Sequence, residues 1–342
     1  MAAHSPPRTI AGVCAAARPV PVAALARVDQ SLLVVVPSPG DAEALHAGLA
    51  FVAPQLPAAY LAAEAVETYG ARPLSLGASA AAAIDLARLA RRHLQVLIAP
   101  ARLLLHPLPP PSLVAKRTVV LRRGDRLGRD DFVATLLAEG YRRTAVATEA
   151  GEVAVRGEIC DVCTLEGCVR LVLEVDRIDP LRTFDPTSQR TESEPLDEFT
   201  VSPLRLFPAD AAARYRLATR LESDGYGEVA ALVREELHRE VWEGMLSLAH
   251  ESQPLWSMVD RLVVCEPADV LTEIERAIKA AQHNWSTLAL HGHALPPPER
   301  VLYGRQLCAE ALAGADRVVE LALTEGEPTV TLHTAPAPSH AS

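Results

Sequence analysis

The chain is poor in lysine. Lysines and arginines together number 33 in 342 residues, and only Lys116 and Lys279 are lysines. Neither follows a glycine: Lys116 follows Ala115 and Lys279 follows Ile278. A phosphate-cradling loop needs a glycine-rich turn that ends in lysine, then a Ser or Thr for magnesium. ATP hydrolysis is therefore not expected, and no cofactor is implied. Aromatic residues are only 4% of the chain. Clamping DNA by stacking or wedging needs a cluster of them, and the stretch from Glu67 to Pro73 offers Tyr69 alone. Excess positive charge is missing too. A net charge of −10 argues for weak DNA binding or none. No apolar run approaches ~18 residues without a charge or proline, so no membrane span is expected. The N-terminus has no charged-then-apolar signal layout. Six cysteines in a chain this long do not describe a disulfide scaffold, and a reducing cytoplasm fits.

What is present is ordinary globular material, 49% hydrophobic and 22% charged, long enough for two or three domains with real cores. Ser31 to Val36 and Leu94 to Ala99 are short apolar runs of buried-strand type. Between them lie two helical segments, Asp41 to Phe51 with Asp41 as its cap, and Ala78 to Arg92 with Ile84 and Leu89 inward. Strand, helix, helix, strand suggests a parallel α/β layer. The proline-rich stretch His106 to Pro111 marks a plausible boundary. After it the style changes. Thr118 to Leu121 reads as a strand, and Arg122 to Arg129 as a turn with four arginines. Asp130 or Asp131 then caps a helix that Gly140 closes. From Ala209 to Ala249 the pattern is helical. Arg261 to Cys265, Ala268 to Ala281, Tyr303 to Leu312 and Arg317 to Leu323 return to strand, helix, helix, strand. Residues 1–9 and the end after Glu325 read as disordered tails.

The stretch Gly151 to Thr191 is where pattern, turn chemistry and charge agree. Val153, Val155, Gly157 and Ile159 alternate with Ala154, Arg156 and Glu158, the period of a half-buried strand. The apolar phase then shifts to Cys160 and Val162, which suggests a bulge near Ile159. Thr164 to Gly167 reads as a hairpin connection. Val169, Leu171, Leu173 and Val175 then point one way, and Arg170, Val172, Glu174 and Asp176 the other. A third run, Arg177 to Phe184, ends at the turn Asp185-Pro186. The result is a small antiparallel meander with one charged face.

The same residues carry a resemblance. Arg156-Gly157, the run Ile159 to Val162, Val169-Arg170-Leu171, and Ile178 to Asp185 followed by Ser188-Gln189-Arg190 resemble the UvrA-docking domain shared by UvrB and the transcription-repair coupling factor Mfd. Arg123 to Leu127, Glu139 to Arg142, Gly151-Glu152, Leu206-Phe207-Pro208 and Leu295 to Pro298 follow the order and spacing of Mfd. The resemblance covers roughly Ile10 to Leu323. It implies an α/β fold: a helicase-like parallel-sheet domain split in sequence by an inserted small α+β domain with an antiparallel sheet. Residues 1–116 are then the first half of a degenerate helicase-like domain, 117–203 the inserted domain, 204–325 the second half and 326–342 a tail. The implied function is a non-catalytic module that docks UvrA in transcription-coupled nucleotide excision repair. Its partners would be UvrA and the remaining domains of an Mfd-like protein. The motor and the segment that grips RNA polymerase fall outside the matched region, so no direct polymerase contact is expected. The position of the family's phosphate loop reads Gly12-Val-Cys-Ala15.

Candidate site residues follow from both lines. The resemblance implies that Arg156 and Arg170 face UvrA, with both side chains expected in solvent. The residue reading leaves a cross-strand ladder open, with Arg170 opposite Asp161 if the loop is four residues. The family carries an apolar-aromatic pair four residues past the second arginine, and here Leu173 and Glu174 stand there. The arginines of the 122–129 turn have Asp125, Asp130 and Asp131 interleaved, which suits a solvated turn. A second reading is a metal- or thiol-dependent regulatory protein built on Cys160, Cys163 and Cys168. It needs a fourth ligand such as His238, His250 or the pair His291 and His293. On a hairpin, however, Cys160 and Cys163 fall on opposite faces, and buried thiols packed in a strand are the alternative.

Overall fold

The computed structural model describes residues 9–66, 68–69, 74–174, 176–192, 194–290, 292, 294–319, 330–332 and 334–335. Both histidines of the 291–293 pair, most of the 67–73 stretch, residues 1–8, the strand expected beyond 319 and most of the tail lie outside these.

The chain starts with β1 (Thr9–Ala11) and α1 (Pro19–Leu25), then β2 (Leu32–Val36). All five residues of β2 are apolar and all are buried, as a strand covered on both faces requires. Helix α2 (Pro39–Val52) follows. Its cap is Ser38, not Asp41. The Ser38 hydroxyl accepts the Asp41 N–H at 3.2 Å, and the Asp41 carboxylate accepts the Ser38 N–H at 3.1 Å. Asp41 is the returning half of a capping box. Next come β3 (Ala58–Tyr60), α3 (Leu76–Ala90), β4 (Val96–Pro100) and α4 (Pro111–Arg117).

The different style then begins: β5 (Val119–Arg122), α5 (Arg129–Ala138), β6 (Arg142–Thr144), β7 (Glu152–Arg156), β8 (Ile159–Thr164), β9 (Gly167–Glu174), β10 (Arg177–Thr183) and β11 (Glu198–Val201). Gly128 caps α5 without a side-chain hydrogen bond, while Asp130 and Asp131 sit in its first turn. There they favour the helix through its dipole rather than as caps. The last part is α6 (Ala211–Ser223), α7 (Gly227–Arg234), α8 (Arg239–Trp242), β12 (Arg261–Cys265), α9 (Pro267–Leu290), α10 (Pro298–Val301), α11 (Arg305–Ala313), β13 (Asp316–Val318) and β14 (Val330–Thr331).

The large sheet has the order β14-β1-β13-β12-β2-β4-β3, and every pairing in it is parallel. It takes strands from both ends of the chain, and β2 pairs directly with β12 across the intervening sequence. Alternation along β2 divides the core. Leu32, Val34 and Val36 pack toward α1 and α2, whereas Leu33 and Val35 pack toward α3 and α9. Helices α6 to α8 bury a third cluster around Trp242. The second sheet, β10-β9-β8-β7-β6, is antiparallel except for the β6–β7 pair. Its inner face packs on Phe132, Val133 and Leu136 of α5. The two-stranded pair β5–β11 brings the chain in and out. Arg117 fastens that junction. It bonds Glu139 through Nε at 3.0 Å, and the carbonyls of Leu206 and Arg205 at 2.7 and 2.9 Å.

The meander has one more strand than the sequence pattern suggests. No bulge interrupts a long strand at Ile159. Arg156 pairs with Ile159 across a two-residue turn, and Gly157 takes φ +62° there. A two-residue turn reverses the chain and resets which residues face inward, which reproduces the phase shift a bulge was inferred from.

Candidate functional site: the outer face of the inserted sheet

The register of β8 and β9 is set by the turn at Leu165-Glu166, which leaves Thr164 opposite Gly167. Three pairs further from the turn, Asp161 stands opposite Arg170. Both lie on the face away from α5. Asp161 has no solvent exposure. Its carboxylate accepts from Arg170 Nε at 2.6 Å, Arg170 Nη2 at 2.8 Å and Arg156 Nη2 at 2.7 Å. Two guanidinium groups thus share one buried carboxylate.

The arginines are not equivalent. The Arg156 side chain is 44% exposed and Arg170 only 16%. Arg170 also donates to the Gln189 carbonyl at 3.1 Å and Gln189 Oε1 at 3.2 Å, and lies 4.8 Å from the centre of the Phe184 ring. The expectation that both side chains point to solvent is corrected: Arg170 is a packed member of an ion triad, because a buried Asp161 requires its charge to be matched. Leu173 is 5% exposed and belongs to the core under α5, since strand alternation puts it on the opposite face from Arg170 and Glu174. Glu174 is exposed, and Val172 and Ile159, paired with each other, are half-buried on the same outer face.

At the far edge of this face Glu152 organises the loop before β7. Its carboxylate accepts the Thr148 and Glu149 backbone N–H groups at 2.9 and 3.1 Å, the Thr148 hydroxyl at 3.2 Å, and Arg142 at 2.6 Å. The bond from the Thr148 backbone is the main cause that holds this carboxyl down to about 2.

The cysteines do not converge on a metal. Cys160 lies in the core under α5, while Cys163 and Cys168 lie on the outer face with Ala147, Ala154 and Phe184. Burial pushes the Cys160 thiol up to about 12, the reverse of what a ligand thiolate needs. Cys163 and Cys168 are joined by a disulfide, which corrects the expectation of simple packed thiols. His250 is occupied with the Pro208 carbonyl at 2.9 Å and stacks on Phe207. His238 pairs with Glu240 at 3.1 Å. No group of three or more metal-ligating side chains exists among the described residues.

Three of the four arginines of the turn find local carboxylates and carbonyls. Arg122 meets Glu198 at 3.4 Å, Arg123 meets Asp179 at 3.7 Å, and Arg129 bonds Asp130 and the Gly157 carbonyl, each at 3.0 Å. Tyr69 is buried, and its hydroxyl donates to the Pro296 carbonyl at 2.6 Å; it is a core residue rather than a platform for bases.

The place of a phosphate loop, after β1, is filled by the chain itself. Gly12 has φ +76°, and a Cβ there would fall 1.7 Å from the Leu332 carbonyl oxygen. The Thr334 hydroxyl donates to the Gly12 carbonyl and accepts the Cys14 N–H, both at 2.8 Å. Sequence reasoning looked only for lysine and missed Arg18, which follows Gly12 at the spacing a phosphate-loop lysine would have. Arg18 is 7% exposed and reaches Asp41 at 3.5 Å and Glu266 at 3.1 Å. Its cation is already matched by two carboxylates.

Residues 119–207 match the family described as UvrB interaction domain. The transcription-repair-coupling factor of Escherichia coli (strain K12) is 38% identical over 120 residues, 34% of this chain and 10% of that protein. That of Mycobacterium bovis is 28% identical over 267 residues, 70% of this chain and 21% of that protein. UvrABC system protein B of Methanococcoides burtonii is 28% identical over 124 residues, 35% of this chain and 19% of that protein. The chain therefore spans between 10% and 21% of the length of these curated relatives. The sheet thus lies in the segment that matches the UvrB interaction domain, within a chain that is similar over 70% of its length to a transcription-repair-coupling factor.

Proposed function

We propose that this chain is a non-catalytic docking module of nucleotide excision repair, and that the outer face of the inserted sheet contacts UvrA. The observation that carries this reading is the triad. Arg156 spends one nitrogen on Asp161 and keeps its remaining donors toward solvent, while Arg170 and Asp161 hold that guanidinium in place. A pre-positioned guanidinium loses little side-chain freedom when it meets a partner carboxylate, and its planar fork suits a bidentate bond. Ile159 and Val172 beside it supply a small apolar patch, and Glu174 stands exposed at the strand end. Leu173 takes no part, being turned to the core. The contact surface is thus Arg156, Glu174 and the Ile159–Val172 pair, with Arg170 in support.

A non-catalytic role is supported by the loop after β1. With Thr334 on Gly12, and Arg18 tied to Asp41 and Glu266, neither a backbone cradle nor a free cation is left for phosphates. Weak or absent DNA binding accords with the net charge of −10. No helix of the described residues is long and apolar enough to cross a membrane. The decisive experiment is a titration of the preformed UvrA–UvrB complex with this chain. Displacement of UvrB without ATP is expected. A complex that survives a large excess removes the docking reading.

A further inference from the structure

Of the six cysteines, Cys163 and Cys168 alone among those of the described residues are linked; Cys14, Cys160, Cys265 and Cys308 are free and buried. The linked pair is a product of register. The turn holds Thr164 against Gly167, with the Thr164 hydroxyl bonded to the Gly167 carbonyl at 3.0 Å and to the Glu166 N–H at 3.1 Å. The next pair outward is Cys163 and Cys168, with Cα atoms 4.0 Å apart and both side chains on the outer face. The bond closes a loop that the hairpin already closes, at a sequence separation of five. Such a link removes little chain entropy from the unfolded state, so stabilisation is a poor explanation for it.

Its surroundings suggest another use. Cys163 is fully buried and Cys168 half-buried, so one sulfur is open to an attacking thiolate and the other serves as leaving group or resolving thiol. The pair packs with Ala147, Ala154 and Phe184. The Phe184 N–H donates to the Cys168 carbonyl at 3.1 Å, and the Arg170 guanidinium lies over the Phe184 ring. A disulfide holds two sulfurs at bonding distance, whereas two thiols need van der Waals separation. Opening the bond demands room in a close-packed cluster, and Phe184, just past the end of β10, is its largest member.

We propose that Cys163 and Cys168 form a reversible dithiol–disulfide site that exchanges with low-molecular-weight disulfides, and that its state sets the seat of Phe184 under Arg170. In the oxidising direction the Cys168 thiolate attacks a disulfide RSSR and expels RS⁻. The Cys163 thiolate then attacks the Cys168 sulfur and expels the second RS⁻. Two cysteine thiols lose two protons and two electrons, and one RSSR becomes two RSH. The first half of the proposal stands without UvrA. The second rests on the docking reading only for its consequence, a face tuned by redox state.

The test uses the full chain in buffers of graded oxidised-to-reduced glutathione ratio, quenched, alkylated and mapped by mass spectrometry. The peptide containing both residues should pass gradually from two alkylated thiols to a crosslink, and return on adding reductant. Cys168→Ser should leave no crosslink at any ratio. A native protein that stays fully alkylatable at every ratio, or a crosslink that reductant cannot open, overturns the site. Side-chain Nε–H spectra of the same samples, with Arg170 assigned by its loss in Arg170→Lys, read the second half. The Arg170 signal should move with the crosslink. A crosslink that titrates while that signal stays fixed refutes the link to Phe184. Failure of UvrA binding alone leaves both readouts unchanged and counts against the docking reading only.

Discussion

Replacing Arg170 by alanine tests the central feature of the site. Asp161 is wholly buried, and Arg170 supplies two of its three side-chain bonds. Removing one partner of a buried ion pair costs ~3–5 kcal/mol, because the remaining charge is left without compensation. Here Arg156 stays, and the 16% exposure of Arg170 lets some water reach the gap. The expected loss is therefore about 2–4 kcal/mol. Arg156→Ala removes a single bond from a side chain 44% exposed and should cost no more than about 1 kcal/mol. Removing Asp161 together with Arg170 should recover part of the loss, since taking away both partners avoids the buried unmatched charge, and a coupling of about 1–3 kcal/mol is expected. The assay must read the inserted sheet itself. Trp242, Trp256 and Trp285 all lie outside it, so tryptophan fluorescence is blind to the change. Native-state hydrogen exchange at the β8 and β9 amides reports it directly. An Arg170→Ala protein whose β8 and β9 amides lose less than about 0.5 kcal/mol of protection refutes the triad as a structural unit. It would also restore the simpler picture of two arginines free in solvent.

Four further outcomes are expected. Glu174→Phe should tighten UvrA binding several-fold, by replacing a carboxylate that must be desolvated with an aromatic anchor; isothermal titration reads it, and weaker binding would mean that the partner presents a base there. Residues 117–203 alone should fold, because this stretch owns a sheet, a covering helix and their shared core; circular dichroism of an unfolded peptide would count against it. Calorimetry with ATP and magnesium should show no binding heat, and micromolar affinity would contradict the sealed loop at Gly12. Glu152, held at about 2 against an ordinary 4.5, binds protons more weakly when folded than when unfolded. Its contribution is present above about pH 4.5 and is lost as pH falls toward 2. Glu152→Gln should flatten the acid limb of stability measured by circular dichroism, and an unchanged limb would assign the acid sensitivity elsewhere.

Much of this protein is written locally. The apolar runs of β2, β4 and β12 suit buried parallel strands because they are short, rich in β-branched residues and apolar on both faces. Period-two alternation in β7 and β9 gives two faces and assigns Arg156, Arg170 and Glu174 to the same one. The order of short motifs from Arg123 to Phe207 was enough to indicate the UvrB interaction domain. Other features depend on contacts that alternation does not encode. A two-residue turn and a bulge shift the apolar phase alike, so only the folded chain showed that Gly157 closes a hairpin. Alternation tells which face a charge is on but not how deep it lies. Asp161 is buried and Arg170 largely shielded because Phe184, Gln189 and Ala147 fold over that face from beyond β10 and before β7. The cysteine pair follows from register, which the turn at Leu165-Glu166 sets. Thr334 reaches Gly12 from more than 300 residues away, a contact that no local pattern contains, and it is the large parallel sheet that brings the two ends of the chain side by side.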